Sequence, residues 1–146
     1  MDPTITSAAI ATIISASLSA LISLYIAGKN NKKYLDDQLD SILKIAVQYP
    51  YLENRSFTET WSKNIDQSDE KYLRYDVYCT LIFNYLERLC KYYNYKLNSV
   101  NSHIAIKDWV RLHKKYWNDP LESYENIDTY EKEFRFLIED FLNGGK

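Results

Sequence analysis

The chain has 146 residues, a formal net charge of −2, fourteen Tyr, and only three Gly and three Pro. Setting aside an uncharged N-terminal stretch leaves about 115 residues, enough to enclose one small core and too few for two. The bulk charge selects no polyanionic partner, and the scarcity of breakers predicts long helices, so the expected fold class is all-α.

Residues 4–27, TITSAAIATIISASLSALISLYIA, carry no charge. As a helix this stretch is about 36 Å long, against a bilayer hydrocarbon core of about 30 Å. The charge preceding it is that of Asp2, not a basic n-region, so the expectation is a retained anchor over residues 1–28 and not a cleaved signal. GKNNKK follows, and its three lysines, Lys29, Lys32 and Lys33, predict a single-pass protein with this flank cytoplasmic and the N-terminus outside. Eight residues of the stretch are Ser or Thr. At 100° per residue, Thr12, Ser15, Ser19 and Ser23 share one face and Ile10, Ile13, Ile14, Leu21 and Leu24 the other. The hydroxyl face has two readings: close packing between copies in a homo-oligomer, or the lining of a polar pore. Ser and Thr hydroxyls also bond their own helix backbone, which suits the first.

Residues 29–50 continue without a turn signal to Pro50, with Leu35, Leu39, Ile42 and Ala46 at helical spacing, so a juxtamembrane extension is predicted with Gly28 as the point where it would break. Such a rod would couple movement of a cytoplasmic helical domain, residues 51–146, to the span. In that domain SFTE, residues 56–59, reads as a capping box for a short helix. The main helix is expected from about Asp69 to Leu97, with Tyr75, Tyr78, Ile82, Tyr85, Leu89 and Tyr93 on its buried face. A third helix is expected from about His103 to Trp117, capped by Ser102 and burying Ile106, Trp109, Val110, His113 and Trp117. NDP ends it, and a fourth is expected from about Asp128 to Leu142, burying Tyr130, Phe134, Leu137 and Phe141 before NGG. Together these form a small bundle.

Charge is segregated within this domain. Residues 71–117 hold nine Lys or Arg and three acids, whereas residues 119–140 hold eight acids and two bases. Packed helices of opposite charge account for this simply; a ligand surface is the alternative. Basic side chains among aromatic rings suit single-stranded nucleic acid or a nucleotide, because cations hold phosphates and rings stack on bases at about 1–3 kcal/mol each. The candidates are Arg74, Arg88, Lys91, Tyr92, Tyr95, Lys107, Arg111, Lys114 and Lys115. No nucleophile motif, phosphate loop or metal spacing is present, so no enzyme, cofactor or metal is expected. Cys79 and Cys90 lie about three helical turns apart, too far for a disulfide, and His113 reads as a core histidine bonded to a neighbour.

The uncharged span, GKNNKK, and a Tyr-rich helical domain with RYDVYCTLIFNYLERL and DWVRLHKKYW resemble small single-span bacterial membrane proteins of unknown-function type. Within that group the layout is similar to the membrane effector of the Hailong anti-phage defence system. The resemblance implies an oligomeric membrane protein held closed by single-stranded oligodeoxyadenylate from a partner nucleotidyltransferase, opening as an ion channel when that DNA is removed. It assigns no individual residue. The alternative is a membrane-anchored protein-interaction module without channel activity.

Overall fold

A computed structural model describes the backbone of residues 3–64, 68–118 and 127–144, with side chains from residue 15 onward. Among these residues every regular element is helical: α1 (Pro3–Gln48), α2 (Arg55–Thr60), α3 (Glu70–Tyr92), α4 (Leu97–Asn101), α5 (Ile106–Leu112), α6 (Lys114–Asn118) and α7 (Lys132–Leu142), with 3-10 turns at Pro50–Glu53 and Ile127–Thr129. The all-α expectation therefore holds. The chain divides into two compact units, Met1–Asp37 and Gln38–Lys146.

α1 is one uninterrupted helix of 46 residues, without a break at Gly28. Among the described residues, no helix is long and apolar enough to cross a membrane. Residues 4–14 of the expected span, Thr12 included, lie outside the described side chains. The remainder, residues 15–27, measures only about 20 Å. α1 ends at Gln48 because Tyr49 leaves the helical region (φ −129°, ψ 76°) ahead of Pro50, whose ring disfavours a helical residue before it.

The second unit is organised around α3. Asp69 caps it by accepting from the Lys71 N–H, and Tyr75, Tyr78, Ile82, Tyr85 and Leu89 are buried as their spacing requires. The helix stops at Tyr92, not near Leu97. Asn94 (φ 50°) and Tyr95 (φ 57°) turn left-handed, and their N–H groups donate to the carbonyls of Lys91 (3.0 Å) and Cys90 (2.8 Å). This is a Schellman cap with Asn94 where glycine usually stands. Tyr93 consequently leaves the buried face and is half-exposed.

Other expected boundaries also move. The cap of α2 is Asn54, which accepts from the Ser56 and Phe57 N–H groups, and not Ser56. Ser102 does not cap the expected third helix but closes α4, an additional helix ahead of it, by donating to the Ser99 carbonyl; the expected helix is itself two short ones, because His113 (φ −101°, ψ 20°) separates α5 from α6. Trp109 is half-buried as a result. α7 begins at Lys132 and buries Phe134, Ile138 and Phe141 at i, i+4 and i+7, leaving Leu137 on the flank.

The core is largely aromatic. Trp61 packs on Tyr75 (ring centroids 5.0 Å), Phe83 on Trp117 (4.9 Å), and Trp117 on Tyr130 and Tyr130 on Phe134 (both 5.5 Å). Each such pair contributes about 0.5–1.5 kcal/mol beyond its buried area. α5 packs on α7, and α2 on α6 and on the 3-10 turn at Pro50–Glu53. Phe134→Ala should cost about 3–5 kcal/mol in denaturant titration, whereas Phe136→Ala, two residues on and 58% exposed, should stay within about 0.5 kcal/mol. Equal losses would contradict the observed orientation of α7.

Candidate functional site

In the first unit, Leu18, Leu21, Ile22, Leu24, Tyr25 and Ile26 are all half or more exposed. At 100° per residue they cover about 200° of the circumference; Ser19, Ser23 and Ala20 occupy much of the rest, and Ser15 falls at the border, between Ile22 and Ile26. These serines are exposed too. The hydroxyls of Ser19 and Ser23 donate to the carbonyls of Ser15 and Ser19, each at 2.8 Å. Their protons are thereby satisfied within the helix, while the hydroxyl lone pairs still face outward.

The basic candidates in the second unit do not form one cluster. Arg74 lies near the start of α3, where it donates to the Tyr51 hydroxyl (3.0 Å), pairs with Glu70, and stacks over the Tyr49 ring at 4.0 Å. Lys91, Tyr92 and Tyr95 lie at the other end of α3, about 25 Å away along the axis. Lys91 bridges Glu87 (3.3 Å) and Glu131 (2.9 Å). Burial works against its charge, but these two carboxylates prevail and raise its pKa. Basic middle and acidic end therefore meet at this position, as expected of packed elements of opposite sign. Tyr92 and Tyr93 make an edge contact (4.9 Å), and burial pushes the half-buried Tyr95 phenol up to about 12. Arg88 is exposed. Lys107 reaches over the Phe141 ring at 5.8 Å, and Arg111, one turn on, is exposed. Lys114 and Lys115, both half-buried, follow the irregular residue His113, so the basic ridge is bent rather than straight.

The densest polar arrangement lies in the core. His113 is fully buried and its Nδ1 is 2.9 Å from the Tyr75 hydroxyl and 3.7 Å from Cys79 Sγ. Its Nε2 faces Glu53 Oε1 at 3.4 Å, too long for a well-formed hydrogen bond, and the same carboxylate accepts from the Tyr78 hydroxyl. Burial pushes the Tyr75 phenol far up, so it stays protonated beside Nδ1. Cysteine, histidine and carboxylate thus stand in the order of a nucleophilic triad. The chemistry does not follow. Cys79 is fully buried, burial holds its thiol well above the ordinary range, and Tyr75 already occupies Nδ1. The trio ties the 3-10 turn, α3 and the α5–α6 junction together. The expectation of a core histidine bonded to a neighbour describes His113, while Glu53, Tyr75 and Tyr78 as its partners were not foreseen, since the pairing spans sequence separations that no local motif encodes. Among the described residues no group of three His, Cys, Asp or Glu is placed to hold a metal ion, and both cysteines are free and buried.

No protein-family model matches the chain, and comparison with known proteins and with solved structures gives no match.

Burial raises the Glu53 pKa, but the His113 ring facing it and the hydrogen bond from Tyr78 outweigh it and leave the carboxyl below its ordinary value. A group depressed in the folded state contributes stability above its unfolded pKa and loses it as pH falls through the folded one. The stability gap between wild type and Glu53→Gln should therefore be widest near neutrality and narrow as pH falls through and below the ordinary carboxylate range. Denaturant midpoints measured across that window test this, and a gap that widens toward acid would contradict it.

Proposed function

We propose that the chain is an oligomeric effector of bacterial anti-phage defence, set in the inner membrane by residues 4–27 with its N-terminus outside and its helical unit in the cytoplasm. Copies of α1 meet along the hydroxyl face and enclose a gated pore. A single-stranded DNA or nucleotide ligand on the cytoplasmic unit, of the kind a partner nucleotidyltransferase makes, sets the balance between closed and open states. Gating requires only that the ligand bind the two states with different affinity.

The observation that carries this reading is the exposed apolar arc from Leu18 to Ile26. A soluble monomer rarely leaves so much contiguous apolar surface uncovered, whereas lipid accepts it and leaves the Ser and Ala strip for contact between helices. Supporting it, Ser19 and Ser23 carry no unsatisfied hydroxyl proton into the bilayer.

A second reading, a membrane-anchored interaction module without conduction, draws on the same bonds, because hydroxyls committed to their own backbone pack well against a neighbour. It also draws on Arg74 and Lys91, whose charges are already engaged by Glu70 and by Glu87 and Glu131. Ion flux from vesicles holding the purified full chain separates the two. The effector reading expects flux that falls at least several-fold in Ser15→Leu/Ser19→Leu and that changes on adding short single-stranded DNA, with binding that weakens as salt rises. Membrane insertion with no flux would leave the anchor alone, and DNA binding absent or insensitive to salt would remove the ligand from the account.

A further inference from the structure

Two lines of apolar side chains in the second unit are left open. On α3, Leu73, Val77 and Leu81 are 54%, 59% and 40% exposed, and with Ile45 of α1 they line a groove of about 310 Å³ rimmed by Glu70 and Arg74. On α1, Leu43 and Val47 are 43% and 81% exposed and line a second concavity with Asp40 and Lys44.

The two lines repeat one pattern. DSILKIAV, residues 40–47, places an acid, Leu, a base and Val at its first, fourth, fifth and eighth positions, and EKYLRYDV, residues 70–77, does the same. That spacing sets an apolar pair along each helix with an acid and a base on the same flank. When two such surfaces meet antiparallel, equal flanks come together and the order of charges reverses, so Lys44 falls opposite Glu70 and Asp40 opposite Arg74. The lines are complementary in charge as well as in apolar character. Within one copy they do not meet. Ile45, which lines the α3 groove, is two residues from both Leu43 and Val47, so each lies about 160° around α1 from it. The α1 line points away from its own groove.

We propose that a second copy of this chain supplies the cover, with the α1 line of one copy seated in the α3 groove of the next. The inference rests on the self-association in the proposed function and gives it a geometry. Because the joined surfaces differ, the contact is heterologous and repeats head to tail, closing into a ring when the rotation per step divides a full turn. A ring of more than two copies can surround an axis, as a pore requires.

The test is Leu43→Cys/Leu73→Cys, the apolar pair that this register brings closest, in the full-length membrane-reconstituted protein, treated with a short bis-maleimide; Cys79 and Cys90 are buried and both new positions are exposed. The double variant should give a ladder of dimers, trimers and larger species on a denaturing gel, and neither single variant should give one. Adding Lys44→Glu should lower ladder yield several-fold, and Glu70→Lys on top of it should restore the yield. Cross-linked dimers from either single variant would mean a twofold contact and overturn the proposal. An assembly of native size that gives no ladder, or gives adducts with a different protein, overturns this interface while leaving membrane self-association standing. A protein monomeric in mild detergent overturns both.

Discussion

From Leu18 to Ile26 the chain sets large apolar side chains around α1 that stay exposed, and this constraint governs the rest. Burying a Leu or Ile is worth about 1.5–3 kcal/mol, so five of them about half exposed forgo roughly 4–8 kcal/mol. That is comparable with the whole net stability of a small domain, about 5–15 kcal/mol. Lipid and copies of the same helix can recover it. In the proposed account the Ser and Ala strip is where helix meets helix, and the Leu and Ile arc is what faces acyl chains.

The second unit meets a different constraint. Its core is built from rings carrying hydroxyl and imidazole groups, so polar atoms must enter the interior with partners. Tyr75 is hydrogen-bonded to His113, the Tyr78 hydroxyl donates to Glu53, and Thr80 and Tyr116 share a hydrogen bond at 2.8 Å. These bonds fix the mutual registry of α3, the 3-10 turn at Pro50–Glu53 and the α5–α6 junction more narrowly than aliphatic packing alone would. The basic side chains are drawn into the same scheme: Arg74 braces Tyr49 and Tyr51, and Lys91 joins α3 to Glu131 at the start of α7. A ligand at either place would have to compete with contacts already made.

Periodicity revealed the helices and the buried face of α3, because tyrosine and leucine spaced at three and four residues leave little choice of side. It failed at the ends. Asn94 closes α3 through a left-handed turn that the tyrosines on either side of it, with no glycine present, conceal, and Asn54 caps α2 where Ser56 offered an equally good local motif. His113 was visible as a core residue, yet Glu53, 60 positions earlier, became its neighbour only through the folded chain. The apolar line of Leu73, Val77 and Leu81 is also present in the spacing, but the stronger tyrosine face of the same helix masks it by supplying a sufficient core.

The central claim, that the N-terminal part of α1 lies in lipid with its hydroxyl edge turned to other copies, is tested most directly by nitroxide labels in the reconstituted full chain. Labels at Leu21→Cys and Ser19→Cys would be read by electron paramagnetic resonance. The account predicts that the label at position 21 is relaxed by oxygen and shielded from a water-soluble nickel chelate, and that the label at position 19 shows dipolar broadening from neighbouring copies. Free access of the chelate to position 21, together with an unbroadened spectrum at position 19, would contradict it.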